Sequence, residues 1–237
     1  MKYSVCIPMY NEESVIENTA KTLAAYLDKT YGEDYELIFY DDGSRDRSAE
    51  LVKALGLPRV QVIEGGENHG KGRGVRVSVL ASQGKYVMFT DADLAYGCDT
   101  IKKMFDSLEA DESASLSIGS RNISADGYDG YTVTRKLASK AYIKVLNILG
   151  GLKCSDSQCG CKAFAGEKMR PVLKKCKIDG FAFDFEIILR AQKAGLKIIE
   201  VPVKIINHRQ SKVHLIRDAF KMLGDIAKIN KMIKKEK

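Results

Sequence analysis

Along the first ninety residues, short apolar runs rich in β-formers alternate with longer stretches whose apolar positions recur every three to four residues. Residues 3–7 form the first run, closed by Pro8. Residues 35–40, 60–63 and 86–90 form the next three. Between the first two, Val15, Ile16, Thr19, Leu23, Tyr26 and Leu27 keep helical spacing, with Asn11 placed to cap and Glu12 and Glu13 at the positive end. Ala49, Leu51, Val52 and Leu55 mark a second helix ending at Gly56, and residues 75–82 a third. The order βαβαβαβ predicts a parallel, doubly wound sheet with right-handed crossovers.

The second half continues the pattern less regularly. A helix over residues 99–110 and a strand over 116–119 are followed by a long amphipathic stretch, 132–149. CSDSQCGCKAF then reads as a loop, and a short helical piece is interrupted at Pro171. GFAFDFEI leads into a helix ending at Gly195, and residues 198–203 form a late strand. A last amphipathic helix, 215–233, puts Ile216, Phe220, Leu223, Ala227 and Ile233 on one stripe. There is no internal repeat or linker, so the whole is expected to elaborate one sheet. The natural division is a main unit over residues 1–212 and a basic amphipathic helix over 213–237.

Composition adds little to this picture except through the placement of charge. The 237 residues are 45% hydrophobic and 29% charged, as in an ordinary globular protein. No apolar run approaches the roughly 20 residues of a membrane span. The opening MKYSVCIPMYNEE enters a strand directly and reads as free of a secretory leader. Six cysteines then suit a reducing, cytosol-like compartment; Cys154, Cys159 and Cys161 lack zinc-site spacing and read as small buried hydrophobes. The net charge of +7 resides in residues 201–237, where ten Lys or Arg face three acids. That tail suits an anionic partner such as a phospholipid surface, or is simply a solvated face.

The chemistry gathers at strand ends. Asp91 and Asp93 follow the fourth strand directly, at a spacing that lets two carboxylates share one hard divalent cation together with substrate phosphates. Pro8-Met9-Tyr10-Asn11-Glu12 and Asp41-Asp42-Gly43-Ser44 end the first and second strands. In a doubly wound sheet these ends form one crevice. Tyr10 could pack on a nucleobase and Asp42 accept from a base N–H. HGKGRG follows the third strand and lacks the Lys-Ser/Thr ending of a Walker A loop. It reads as a glycine-rich helix entry whose Lys71 faces phosphate. His69, His208 and His214 show no metal spacing, and Asn122-Ile123-Ser124 is a glycosylation sequon by pattern only.

PMYNEE, DDGSRD, NHGKG, TDADL, GSR and GFAFDFE together resemble glycosyltransferase family 2, nucleotide-sugar-dependent transferases of GT-A fold. The resemblance runs from residue 4 to about residue 212. SDSQCGCKAF, EVPV and HRQSKV resemble the polyprenyl-phosphate branch, and within it the dolichyl-phosphate β-glucosyltransferases. The resemblance implies a mostly parallel, Rossmann-like α/β sheet flanked by helices. It also implies transfer of a hexose, glucose from UDP-glucose, onto the phosphate of a polyprenol with inversion, assisted by Mg2+ or Mn2+. By the same resemblance Pro8, Tyr10, Glu12, Asp42, Lys71, Asp91 and Ala92 bind the nucleotide sugar, and Asp91 and Asp93 the metal. Arg121, Arg135 and Lys212 hold phosphates, and Asp93 and Asp156 are the catalytic carboxylates. Mannosyl-type members carry Gln where this chain has Ala95, which speaks against mannose. Cys161 stands where an aromatic residue is commoner.

A phosphate monoester acceptor, with a second pKa of about 6, is largely dianionic at neutral pH and needs cations rather than a base. Arg121 and Arg135 suit that need through bidentate guanidinium forks. A saccharide-hydroxyl acceptor would instead require a base, for which Asp184 and Glu186 are the candidates. Processive polymerising members carry a Gln-x-x-Arg-Trp motif, and this chain has no tryptophan. A non-catalytic nucleotide- or nucleic-acid-binding protein is the other alternative. Without aromatic-basic interleaving, nucleic acid is not expected as a partner. A lipid acceptor requires contact with a membrane surface, for which residues 137–152 and the helix from Leu215 are candidates. The protein is therefore expected in the cytoplasm, peripheral to the cytoplasmic face of a membrane.

Overall fold

The computed structural model describes residues 1–207 and 215–236, the side chains of residues 215–221 excepted. In chain order the elements are β1 (Tyr3–Met9), α1 (Glu13–Tyr31), β2 (Tyr35–Asp41), α2 (Ser48–Ala54) and β3 (Val60–Glu64). Then come α3 (Lys71–Ala81), β4 (Tyr86–Phe89), α4 (Asp99–Glu109), β5 (Ala114–Ser120) and α5 (Val133–Gly150). β6 (Lys162–Ala165), α6 (Gly166–Lys175), α7 (Phe183–Lys193), β7 (Lys197–Pro202) and α8 (Leu215–Lys235) complete the chain.

The seven strands form one sheet in the order β3-β2-β1-β4-β6-β5-β7. β1 through β4 are parallel, as the alternating pattern predicts. β6 runs antiparallel between β4 and β5, and β7 is parallel to β5. The sheet is therefore mixed, and β6 lies inside the segment that reads as loop from sequence. Four residues, KAFA, preceded by Gly, Ser and Cys, are too short for periodicity to mark a strand.

Strand side chains alternate between two apolar layers. Val5, Ile7 and Met9 of β1, Leu37 and Phe39 of β2, and Tyr86 and Met88 of β4 join α1 and α4 in one layer. Cys6, Ile38, Val87 and Phe89 point the other way, into α3, α6, α7 and the described part of α8. Burial on both faces explains why these strands read as continuous apolar runs.

Four local features differ from the sequence reading. β1 continues through Pro8 to Met9, because the β1/β4 ladder already ends at Cys6 and Pro8 lies beyond its last pair. α3 begins at Lys71 rather than near Val75, with Gly70 at φ 113° before it. Asn11 does not cap α1: it takes a left-handed φ of 53°, and the residue before the helix is Glu12. In α6 the helix runs through Pro171 instead of breaking there.

α8 is formed, but its buried stripe is Met222, Ile226 and Ile229, with Leu223 and Ala227 exposed. The expected stripe was thus rotated by about one position. Ile216 and Phe220 lie outside the described side chains. Met222, Ile226 and Ile229 complete the second apolar layer, so the apolar side of the described part of α8 faces the body of the protein.

Candidate functional site

The carboxyl ends of β1, β2 and β4 are stitched into one crevice by short hydrogen bonds. Ser44 Oγ donates to Asp41 and accepts the Asn11 amide at 2.9 Å, while Asn11 Oδ1 accepts the Arg45 amide at 2.8 Å. Ser48 Oγ accepts the Glu12 amide at 2.8 Å. Tyr10 and Glu12 are thereby presented at the crevice rim, each half-buried, as is Pro8.

Asp42 is buried, and its carboxylate accepts the amides of His69 at 3.1 Å and Gly70 at 2.7 Å. The second strand end therefore holds the entry to α3, which places Lys71 at its first turn. Gly70 is required there: a Cβ would lie against the Asp179 carbonyl, and its φ of 113° is open only to glycine.

Lys71 Nζ donates to Asp91 Oδ1 and lies 5.9 Å from the Phe89 ring and 6.0 Å from the Phe183 ring. Burial works against its charge, but Asp91 and then Asp184 outweigh that and raise the Lys71 pKa. Ala92 is fixed through its carbonyl, which accepts Thr19 Oγ1 at 2.6 Å. Asp93 accepts the Ala95 amide at 3.0 Å, and its pKa is raised by burial and then by the neighbouring Asp91 charge. The turn is tight: Leu94 has φ 49°, an uncommon conformation for a branched residue that marks a constrained loop. Gly160 closes over it, since a Cβ there would meet the Asp91 carboxylate.

Behind this turn lies a pair the motifs did not single out. Lys162, fully buried at the start of β6, donates to the Cys159 carbonyl at 2.8 Å and pairs with Asp184 at 2.6 Å. Burial raises the Asp184 pKa, opposed by Lys162 and then Lys71. Asp91, Lys71, Asp184 and Lys162 form a series of alternating charge that runs from half-buried at Asp91 and Lys71 to buried at Asp184 and Lys162. The sequence marked Asp184 as a candidate base, but the only sign of its partner was a lysine in an otherwise small and apolar stretch. Glu186 is fully buried and accepts the Lys177 and Ile178 amides and Arg190 Nε, so its oxygens are committed to joining α7 to the preceding loop.

A second group of charges stands beside β5. Asp156, with no exposed surface, accepts Arg121 Nε at 2.7 Å, Arg121 Nη2 at 2.9 Å, and the amides of Arg121 and Gln158. Burial opposes ionisation of Asp156, but these hydrogen bonds and the Arg121 charge hold its carboxyl below the usual range. The Arg121 guanidinium lies 5.4 Å from the Tyr128 ring, and Lys140 Nζ lies 5.6 Å from the same ring. Tyr128 meets Tyr131 edge-on at 5.7 Å, and Arg135 lies 4.1 Å over Tyr131. Three cations therefore surround one tyrosine pair. Arg121 and Arg135 were expected from sequence; Lys140, Tyr128 and Tyr131 were not, because nothing in the sequence shows that they converge. Lys212, His208 and His214 lie outside the described residues.

In the same loop, Ser157 Oγ and Gln158 Nε2 are buried without a hydrogen-bond partner among the described residues. Cys159 and Cys161 are buried with Sγ atoms 3.5 Å apart. The sequon residue Asn122 is engaged, donating to the Ser155 carbonyl at 2.6 Å and accepting Tyr128 Oη at 2.9 Å.

Comparison with known proteins matches residues 4–170 to glycosyl transferase family 2. A dolichyl-phosphate β-glucosyltransferase of Dictyostelium discoideum is 30% identical over 238 residues, covering 95% of this chain and 73% of that one. The Saccharomyces cerevisiae protein of the same name is 28% identical over 241 residues, covering 94% and 72%. Among solved structures, glucosyl-3-phosphoglycerate synthase of Mycobacterium tuberculosis, in complex with Mn2+, UDP-glucose and phosphoglyceric acid, superposes with a TM-score of 0.73. Identity there is 22%, over 96% of this chain and 79% of that one, which establishes the shared GT-A architecture.

Proposed function

The chain belongs to glycosyltransferase family 2, and from that premise we propose that it transfers glucose from UDP-glucose to a polyprenyl phosphate, with inversion at the anomeric carbon. The observation that carries the acceptor assignment is the cluster of Arg121, Arg135 and Lys140 around the Tyr128–Tyr131 pair. Cations grouped on aromatic faces suit a phosphate dianion, which arrives already deprotonated. The hydroxyl-acceptor alternative needs a free carboxylate base, but Asp156 and Glu186 are saturated by hydrogen bonds and Asp184 is paired with Lys162. The glucose assignment is supported by the relatives' names alone.

In this reading Tyr10, Glu12 and Pro8 receive the nucleoside, with Asp42 acting through the backbone it holds rather than on the base. Asp91 and Asp93 fit a hard divalent cation: they are adjacent, partly buried oxygen donors, and Asp93 is already perturbed by its like-charged neighbour. No three His, Cys, Asp or Glu residues gather as a metal cage among the described residues, so donor phosphate oxygens would complete the coordination of Mg2+ or Mn2+. When bound, the ion supplies positive charge to the departing diphosphate. Lys71 stands beside the same carboxylate and faces the diphosphate with it.

The acceptor cations hold a phosphate oxygen in line with the anomeric carbon. That oxygen forms the new bond as the bond from the anomeric carbon to the diphosphate oxygen breaks, and UDP leaves with the electron pair. No proton is transferred. Asp156 serves as a positioning residue: by gripping Arg121 at three nitrogens, it fixes the direction of the guanidinium.

No helix among the described residues is long and apolar enough to cross a membrane. We place the protein at the cytoplasmic face of a membrane as a peripheral enzyme, with residues 1–212 the transferase unit and residues 213–237 the basic helix. The test supplies labelled nucleotide sugars, Mg2+ or Mn2+, and polyprenyl phosphate, and counts label entering the organic phase. Label from UDP-glucose that disappears in Asp93→Asn is the expected result. Label that remains in water as an oligosaccharide would overturn the acceptor assignment.

A further inference from the structure

α5 carries an apolar face that the body of the protein leaves uncovered. Its inward side is Ile143, Leu146, Asn147 and Gly150. On the opposite side Val133, Leu137, Ala141, Val145 and Ile148 follow at intervals of four and three residues. Val133 is 74% exposed, Leu137 63% and Ile148 68%, an unusual concentration of bare aliphatic surface on one helix. The stripe runs about 24 Å at the rise of an α-helix.

The charges on α5 are equally one-sided. The helix holds Arg135, Lys136, Lys140 and Lys144 and no carboxylate. Lys136, Lys140 and Lys144 recur every fourth residue, a row along one edge of the apolar stripe. At its C-terminal end the row opens into a groove of about 610 Å³ lined by Lys140, Lys144 and Lys153, with Ile148, Leu152 and Ser155. Lys140 belongs both to this groove and to the cations over Tyr128, so the groove adjoins the acceptor cluster.

We infer that α5 lies in the interface of an anionic phospholipid bilayer, its aliphatic stripe among the acyl chains and a lipid headgroup phosphate in the Lys144–Lys153 groove. Aliphatic side chains edged by lysine, without acids, match an interfacial helix. A protein partner fits less well, because protein interfaces are depleted in lysine and rely on aromatic anchors, and the stripe has none. The described part of α8 is a weaker candidate for this role, since its Met222, Ile226 and Ile229 are buried in the second layer. The inference deepens the lipid-acceptor reading: a polyprenyl phosphate held in that bilayer would reach the Arg121–Arg135 cluster from the surface on which α5 rests.

The test is flotation of the full chain with vesicles of phosphatidylcholine, alone or with about one-third phosphatidylglycerol, at low and high salt. Wild type floats with the mixed vesicles and is released by salt. Leu137→Glu/Ile148→Glu lowers binding by about tenfold or more, and Lys144→Glu/Lys153→Glu removes the dependence on phosphatidylglycerol. All four sites are on the surface or at its rim, and matched melting curves establish that the variants fold; Leu137→Ala/Ile148→Ala repeats the test without new charge. Flotation unchanged in the variants overturns the inference. So does a wild-type dimer in lipid-free sedimentation that Leu137→Glu/Ile148→Glu disperses, which would make a second copy the occupant. Sugar transfer to a short, water-soluble polyprenyl phosphate separates the two proposals: it persists in the α5 variants, whereas its absence from wild type defeats the acceptor reading and leaves the flotation result standing.

Discussion

Arg121 and Asp156 are a buried ion pair, so removing either charge leaves the other buried without its direct counter-ion. Arg121→Met is expected to cost about 3–5 kcal/mol, read as a fall in the urea midpoint. The pair also sets a pH dependence. The Asp156 pKa is lower folded than unfolded, so its stabilising contribution is complete above the unfolded value of about 3.9 and disappears as pH falls through the folded value. Urea titrations of wild type should lose stability in that acidic window, and Asp156→Asn should lack that part of the slope. Asp93 has the opposite character: burial and the Asp91 charge make its ionised form costly. Asp93→Asn keeps the acceptor for the Ala95 amide and removes the repulsion. It should raise the melting temperature of the metal-free protein by about a few degrees while abolishing the further rise that wild type shows with Mn2+.

These residue roles were legible in the sequence to different depths. Asp91 and Asp93 stand next to each other at a strand end, so spacing alone shows that they share a site. Asp42 was legible as a site residue, but its partners, the amides of His69 and Gly70, depend on how the third loop returns to the second. Lys162 and Asp184 meet only because β6 and α7 pack together, and no local pattern encodes that meeting.

At the scale of elements, periodicity reads best where an element is long and half-buried. α1 and α4 follow it closely. It fails for β6, where three buried residues and a half-buried one show no alternation to solvent, and for the start of α3, where Gly70 before the helix and Gly72 and Gly74 in its first turns mask it. α8 falls between these cases: its helical spacing was plain, but two neighbouring stripes compete, and the bulkier Met222–Ile226–Ile229 set is the buried one. Ile229→Ala should therefore cost about 2–5 kcal/mol, as for a core residue, measured by the denaturation midpoint. A solvated tail would show almost no change.

For the molecule as a whole, alternating strands and helices announced the doubly wound half, and strand-end acids located its crevice. The formal charge drew attention to residues 201–237, but its position along the chain did not disclose α5, whose lysines are balanced by acids elsewhere in the sequence. A count along the chain cannot show that one helix presents cations without carboxylates on a bare aliphatic face; only the packing of its other side reveals it.

The antiparallel strand inside the sheet, next to its central strand β4, also constrains the order in which the protein can be completed. β4 has β1 on one side from early in synthesis, but its other neighbour is β6, 76 positions later if measured from Phe89 to Ala165. During translation that interval lasts on the order of ten seconds, with the unpaired backbone N–H and C=O groups of β4, between apolar side chains, open to any passing strand. Chains released at residue 160 should therefore collect in aggregates that pellet on centrifugation, and adding residues 161–237 should restore solubility. The strand that closes the sheet beside the crevice acts during biogenesis as the protein's own late-arriving guard against self-association.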